Sequence, residues 1–154
     1  EVEDYLKCMR DTGVQVGLAS HIPEVFDYVE EKGWDVDFYM TCFYNLNKSH
    51  RESALVDPFN AGTVEVFDLE DPPRMIRIIQ QTQKMCLAFK FLAAGRRCRT
   101  HEDVRTAFEY VFANIKTGDA VIAGMFPKHE DQIQLNVQHT VAAIESARAS
   151  ATSD

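Results

Sequence analysis

The protein has 154 residues, and its 16 lysines and arginines against 24 aspartates and glutamates give a net charge of −8. This length suits one domain with a sizeable core. An acidic chain lacks the basic surface that nucleic acids and anionic membranes attract, so we expect neither as a partner. No stretch approaches the ~20 apolar residues of a membrane span.

Cysteine spacing excludes the common zinc and redox motifs. No C-x-x-C pair occurs among the four cysteines, which are Cys8, Cys42, Cys86 and Cys98. Two of them lie inside apolar, strand-like runs. We therefore predict reduced, buried thiols in a cytoplasmic protein.

The first part of the chain alternates between helical and extended patterns. Apolar spacing predicts a helix over residues 1–12 and another from Pro23 to Gly33. Short, nearly continuous apolar runs predict strands over residues 14–20 and 36–44, as in strands buried on both faces. Ser20 is a plausible N-cap for the second helix.

Residues 48–71 interrupt this alternation with a long, polar and mixed segment that is typical of a lid or binding loop. A small extra strand over residues 64–67 is compatible with its pattern. A helix then begins at Asp71, and a strand follows over residues 85–94. Thr100 and Asp103 resemble a capping box that opens the next helix. A strand over residues 120–124, a last helix and a frayed tail over residues 146–154 complete the pattern.

The order of elements is one helix followed by four βα units, which form one predicted domain over residues 1–145. Alternation of this kind gives an α/β fold with a parallel sheet and right-handed crossovers. Four strands could form a small open sheet or half of a TIM-type (β/α)₈ barrel. The pattern alone leaves both open.

In either architecture, ligands bind beyond the carboxyl ends of the parallel strands. The residues at these ends are Ser20 with His21, Tyr44 with Asn45, Lys90 near the Gly95 turn, and the segment from Gly124 to Lys128. His21 could contact a ligand, donate a proton or bind a metal, or it could simply hydrogen-bond locally at a helix start. Because the other histidines fall in loops or helices, we predict no metal site.

Lys90 stands out because it lies inside an apolar run, between Phe89 and Phe91. A lysine is rarely buried without a partner or a task. It could hold a phosphate or a carboxylate, or form a Schiff base in a lyase. Alternatively, its stem packs while its ammonium group reaches water.

The segment from Gly124 to Gln132 reads as a strand end, a glycine turn and a helix start. Backbone N–H groups at a helix start attract anions, and Lys128 would strengthen that attraction. In barrels the loops after the last two strands often form a phosphate site, which makes this turn a candidate.

Four motifs, in order, resemble the second half of the aldo-keto reductases. Residues 16–20 (VGLAS) resemble the family's fifth strand, and residues 37–46, which end in YNL, resemble the sixth. Residues 88–95 (AFKFLAAG) are similar to the seventh strand. Residues 121–124 (VIAG), followed by Asp131, Gln132 and Asn136, are similar to the eighth strand and last helix. The resemblance covers most of the chain outside residues 48–71.

The resemblance implies a nicotinamide cofactor, usually NADP, that lies across these strand ends. Ser20 and Thr41 would lie near its carboxamide, and Phe89 would stack on the nicotinamide ring. The pyrophosphate would follow Lys90 to Gly95 and Gly124. Lys128 would lie near the 2′-phosphate. Gln132 and Asn136 would lie near the adenine.

The family's catalytic Asp, Tyr, Lys and His lie on its first four strands, and this chain has no counterpart of them. The resemblance therefore implies a cofactor-binding half without catalytic residues. Exposed strand edges would favour pairing with another copy or with a missing N-terminal half.

A second hypothesis is a non-redox, barrel-derived module that binds a small molecule through a phosphate or carboxylate, or that serves in assembly. It rests on departures from the family pattern. His21 stands where the family often has Asn, Thr41 where it often has Gln, and Lys90-Phe91 where it has Ser-Pro.

Overall fold

The computed structural model of the protein describes residues 1–45 and 67–151. Most of the predicted loop over residues 48–71, with residues 64–66 of the suggested extra strand, lies outside the described residues. The last three residues of the predicted tail lie outside them as well.

The described residues form five α-helices and four strands. In chain order they are α1 (Val2–Arg10), β1 (Gly17–Ser20), α2 (Pro23–Lys32), β2 (Phe38–Cys42), α3 (Asp71–Gln81), β3 (Met85–Phe89), α4 (His101–Asn114), β4 (Ala120–Ile122) and α5 (Gln132–Ala151). A short 3₁₀ turn over Ala93–Gly95 follows β3. The predicted α/β class is confirmed.

All four strands lie in one parallel sheet, in the order β1-β2-β3-β4. Ser20 pairs with Thr41, Thr41 with Ala88, and Ala88 with Val121. The predicted parallel βα repeat is therefore confirmed. Because the strands are parallel and in register, their carboxyl ends meet at one edge of the sheet.

The two faces of the sheet differ in burial. Tyr39 and Cys86 are fully buried on one face, where the Tyr39 ring packs against Phe26 of α2 with ring centroids 4.8 Å apart. On the other face Met85 and Ile122 remain 45% and 42% exposed. Alternate residues of a strand point to opposite faces, so the described helices cover the first face and leave the second partly open.

Local signals begin α4 and end α2 as the sequence predicts, but the predicted N-cap Ser20 is wrong, because the residue that caps α2 is Ile22, which makes no side-chain cap. The backbone N–H of Asp103 donates to Oγ1 of Thr100 at 3.1 Å, and the N–H of Thr100 donates to the Asp103 carboxylate at 3.0 Å. This confirms the predicted capping box of α4. Gly33 ends α2 in the left-handed region, with φ of 63°, which glycine adopts at little cost.

Two carboxylates, the exposed Asp37 and the buried carboxylate of Asp119, tie the amino ends of the strands to neighbouring elements. Asp37 accepts hydrogen bonds from Nη1 of Arg10 at 2.7 Å and from the backbone N–H of Val16 at 2.6 Å. Asp119 accepts from the backbone N–H of Cys86 at 2.8 Å and from Nζ of Lys116 at 3.0 Å. These contacts stabilise the end of the sheet opposite the predicted ligand edge.

Some predicted boundaries are wrong. The third strand ends at Phe89 instead of continuing to residue 94, because Lys90 has a φ of 59°, which an extended strand cannot contain. Lys90 therefore follows the strand and does not lie inside it. The first strand begins at Gly17 instead of residue 14.

The predicted frayed tail from residue 146 is helical as far as Ala151. Alanine has the highest helix propensity, and the alanines of this segment let α5 continue beyond its packed part. Among the described residues, the helices are too short or too polar to cross a membrane.

Candidate functional site

Two adjoining clefts open at the carboxyl ends of β3 and β4. The larger one, which we call the strand-end cleft, has a volume of about 570 Å³. The smaller one, the helix-start cleft, has about 210 Å³ and lies between the starts of α4 and α5. Leu92, Cys98, Gly124 and Gln132 line both clefts, which makes them one continuous depression.

The strand-end cleft brings together most of the residues that the sequence predicts at this edge of β3 and β4. Its lining includes Phe89, Lys90, Gly95, Gly124 and Gln132. Its volume falls in the range of about 300–1,000 Å³ that is usual for small-molecule sites. These residues form a candidate ligand site.

The helix-start cleft extends this site along α5. Gln132 and Asn136 line it from the first turns of that helix, and Thr100 and His101 line it from the start of α4. The two predicted adenine-binding residues thus share one small cavity.

The backbone that borders the strand-end cleft is strained. Lys90, Ala93 and Ala94 have φ values of 59°, 51° and 51°, in the left-handed region that residues other than glycine rarely adopt. Each such residue costs about 1 kcal/mol or more. Strain of this kind concentrates at functional sites, so its position beside the cleft supports a ligand-binding role.

Gly124 leaves room at the junction of the two clefts. A Cβ atom built on Gly124 would meet nothing within 4 Å. A side chain at this position would therefore begin in open space at the junction of the clefts.

Gln132 shapes the loop between β4 and α5. Its Oε1 atom accepts a 2.7 Å hydrogen bond from the backbone N–H of Phe126, and its Nε2 atom donates to Glu130 at 3.2 Å. The start of α5 already carries a carboxylate, because the N–H of Gln134 donates to Oδ1 of Asp131 at 3.0 Å. Lys128 is exposed on this loop and is not part of the lining of either cleft.

Cationic side chains line both clefts, together with the carboxylate of Glu130 in the helix-start cleft. Lys90 lines the strand-end cleft, and Arg99 lines the helix-start cleft. The Arg96 guanidinium lies 3.9 Å from the ring centroid of Phe67. This charge favours an anionic group on the ligand.

Cys98, which lines both clefts, remains a thiol at neutral pH. Its pKa is raised by burial first and by the Asp103 carboxylate second. The group is therefore a weak nucleophile here.

The predicted residues at the end of β1 lie apart from the cleft lining. The Ser20 hydroxyl accepts a hydrogen bond from the N–H of Ile22 at 3.0 Å, a local contact at the start of α2. The ring of His21 meets the ring of Phe89 edge-on, with centroids 5.7 Å apart. His21 therefore borders the strand-end cleft through Phe89.

The predicted residues at the end of β2 are largely enclosed. Thr41 is fully buried, and Tyr44 is 2% exposed. Burial raises the pKa of Tyr44, with Arg97 acting in the opposite sense. The N–H of Asn45 donates to the Asp71 carboxylate at 3.0 Å. A ligand contact at Thr41 would require its side chain to become exposed.

Sequence reasoning missed Arg99 and His139 as cleft residues. The Nε2 atom of His139 is buried and has no hydrogen-bond partner among the described residues. His139 follows Gln132 and Asn136 at helical spacing of seven and three, so the periodicity of α5 was the available signal. Arg99 belongs to the short basic cluster at residues 96–99.

Within residues 1–45 and 67–151, no group of three or more His, Cys, Asp or Glu side chains is placed to hold a metal ion.

Comparisons with family models, with curated proteins and with solved structures find no match to this chain. The resemblance to aldo-keto reductases therefore stays a prediction.

Proposed function

We propose that this chain is the cofactor-binding portion of an NADP-dependent, aldo-keto-reductase-like oxidoreductase. The observation that carries the proposal is the continuous depression at the ends of β3 and β4. It gathers Phe89, Lys90, Gly95, Gly124 and Gln132 along one cleft and places Asn136 in the adjoining one.

The sheet supports the barrel part of this proposal. Its strands follow chain order without reversal, and the described helices cover one face. A doubly wound sheet instead reverses its strand order and carries helices on both faces. A (β/α)₈ barrel keeps all of its helices outside and continues the strand order around the barrel.

The residues present fit such a cofactor. The Phe89 ring offers a flat apolar surface, and Lys90 offers a positive charge for a phosphate. His139, which lines the same cleft as Asn136, offers a buried ring nitrogen without a hydrogen-bond partner in the described part of the chain. A bound nicotinamide would supply the hydride for reduction, while the chain itself binds and orients the cofactor.

The same proposal includes completion of the barrel by a second copy or by a preceding half. β1 and β4 are the edges of the sheet. Exposed apolar residues on the first and last helices, such as Tyr5, Val137 and Val141, are consistent with surfaces that another unit covers. Light scattering after size-exclusion chromatography measures the assembly.

The experiment that tests cofactor binding is a titration of the chain with NADPH, followed by nicotinamide fluorescence. Gly124→Val should fill the junction of the clefts and weaken binding by about tenfold or more, because a valine side chain would occupy ligand space. Gln134→Ala, on an exposed position of the same helix, is the matched control and should leave binding unchanged.

Both variants should retain the melting temperature of the wild type. Absence of saturable NADPH binding by a folded wild-type chain would overturn the proposal. Equal affinities for wild type and Gly124→Val would place any binding elsewhere.

The alternative is a non-redox module for a phosphate or carboxylate ligand. It is favoured by the enclosure of Thr41 and by the local hydrogen bonds of Ser20, which leave the nicotinamide end with few available polar groups. Lys90 would then bind the anion alone. Under this function, sugar phosphates should raise the melting temperature, whereas NADP should not.

A further inference from the structure

We infer that the strand-end cleft binds an apolar monocarboxylate, a small molecule with one carboxylate on an aliphatic or aromatic body, and that Lys90 is its counter-ion. The inference goes beyond the proposed function. It rests on the described residues of the cleft and holds whether or not the chain binds NADPH.

Large apolar side chains gather in this cleft although water reaches them. Ile122, Met125 and Phe126 are exposed, and all three line the cleft. Phe91 and Leu92 line it as well and are buried. An exposed apolar side chain that stands alone needs no explanation, but a concave group of them is typical of a ligand-binding groove. The body of the ligand is therefore apolar.

Hydrogen bonds and ring packing hold this apolar lining in place before a ligand arrives. The backbone N–H of Phe126 donates to Oε1 of Gln132 at 2.7 Å, and the N–H of Lys128 donates to the carbonyl of Phe126 at 2.8 Å. The ring of Phe91 packs edge-on against that of Phe108 in α4, with centroids 5.0 Å apart. A lining that is already ordered loses little conformational entropy on binding.

Lys90 supplies the charge of the site. Among the described residues of the lining, it alone carries a charge. Its side chain is half-buried, and its ammonium group makes no hydrogen bond or ion pair within the described chain. An anion attracts such a group more strongly beside apolar side chains than in bulk water, because the effective dielectric constant is lower there. The ligand therefore carries its negative charge next to Lys90.

A single ammonium group matches a carboxylate better than a phosphate. A phosphate monoester carries nearly two negative charges at neutral pH and three strong acceptor oxygens. The amide of Gln132 in the same lining already donates to Glu130 at 3.2 Å, and the Cys98 thiol is a weak donor. A phosphate would leave charge unpaired in an apolar cleft, which is costly, whereas one carboxylate pairs with one lysine.

The first test compares octanoate with octan-1-ol, which has the same chain without the charge, by isothermal titration calorimetry of the full chain. Octanoate should bind at one saturable site, and octan-1-ol should bind about tenfold more weakly or worse. Lys90→Met, which keeps an unbranched stem, should weaken octanoate by about tenfold and change octan-1-ol by less than twofold. Lys128→Met, at an exposed lysine outside the cleft lining, is the matched control and should change neither.

The second test addresses the apolar body of the ligand. Phe126→Ser should weaken octanoate and octan-1-ol alike, by about tenfold, because it removes an aromatic wall of the cleft. Tyr5→Ser is the matched control, since Tyr5 in α1 is 68% exposed and Phe126 is 66% exposed. It should leave both affinities unchanged.

Equal affinities of the wild type for octanoate and octan-1-ol would overturn the inference, as would equal weakening of both by Lys90→Met. Tighter binding of octyl phosphate than of octanoate would overturn the choice of a carboxylate. The wild-type comparison needs no variant, so it decides the matter even if Lys90→Met fails to fold.

The inference and the proposed function fail separately. A folded chain that binds octanoate through Lys90 but shows no saturable NADPH binding would support the inference and overturn the proposed function. A folded chain that binds NADPH but not octanoate would overturn the inference and leave the proposed function in place.

Discussion

The guanidinium of Arg10 donates a 2.7 Å hydrogen bond to the carboxylate of Asp37, and this contact joins α1 to the chain just before β2. The Arg10 hydrogen bond lowers the pKa of Asp37, and a second hydrogen bond from the Val16 N–H lowers it further. The folded state therefore holds this carboxylate ionised at pH values where an unfolded aspartate, with a pKa of about 3.9, is already protonated.

A lowered pKa in the folded state makes the contact stabilising above about pH 4, and this stabilisation is lost as the pH falls through the lowered pKa. We expect Asp37→Asn to unfold at a lower denaturant concentration at pH 7 and to differ less from wild type below about pH 3. Urea denaturation across this range measures the effect. Asp11→Asn, at the exposed end of α1, is the control; a similar pH profile for the two variants would contradict the prediction.

The Cys86 thiol makes the free energy of unfolding depend on pH in the opposite direction, in the alkaline range. Burial raises its pKa to about 11, although the nearby Lys116 acts in the opposite sense. An unfolded cysteine ionises near pH 8.5. The contribution of the buried, neutral thiol to stability is therefore fully present below about pH 8.5, and it is lost as the pH rises towards the folded pKa. We expect a loss of about 1 kcal/mol per pH unit in that window.

Cys86→Ala should remove this part of the alkaline slope, even if its free energy of unfolding is lower at pH 7. Denaturation at several pH values between neutral and alkaline measures the slope. Cys8→Ala, which changes an exposed thiol, serves as the control. An unchanged slope in Cys86→Ala would show that the buried thiol is not the titrating group.

Thr41 offers a test that separates stability from cofactor binding. Its Oγ1 atom is buried and has no hydrogen-bond partner among the described residues. A valine has nearly the same shape and no polar atom, so Thr41→Val should raise the free energy of unfolding by about 1 kcal/mol. Thr41→Ser, which keeps the hydroxyl and removes a methyl group, should lower it.

Chemical denaturation measures both Thr41 variants. If Thr41 instead contacted the nicotinamide carboxamide, as the family resemblance implies, Thr41→Val would weaken NADPH binding. A loss of stability in Thr41→Val would contradict the assignment of an unsatisfied hydroxyl.

Ala94 reports on the strain beside the strand-end cleft. Its φ of 51° suits glycine better than alanine, so Ala94→Gly should raise the melting temperature, with a gain of about 1 kcal/mol or less. Ala113→Gly, inside α4, is the control and should be destabilising by about 1 kcal/mol. Equal destabilisation by both substitutions would show that residue 94 is not held in the left-handed region.

Local signals in the sequence were sufficient for much of the fold. The Thr100 and Asp103 capping box and the Gly33 helix end lie within a few residues of the structure that they specify. The strands were recognisable because each is a short apolar run between helical patterns. Their parallel pairing followed from the alternation of strands and helices.

The candidate site was only partly predictable for a physical reason. The end of β3 depends on a left-handed backbone at Lys90, which no local preference of lysine favours. The apolar run therefore predicted a strand that continues to residue 94. Arg99 and His139 come to line one cavity only when α4 packs against α5. A short basic cluster and one histidine on a helix give no separate signal of that packing.

The order of the strands also bears on how the chain reaches this structure. Strands that pair in the sheet are consecutive strands of the described chain, so β1 and β2 can associate before β3 and β4 have left the ribosome. Synthesis proceeds at about 5–20 residues per second, which is slow compared with the formation of local structure. The sheet can therefore grow one strand at a time during translation, with β4 as the last edge to become available to a partner.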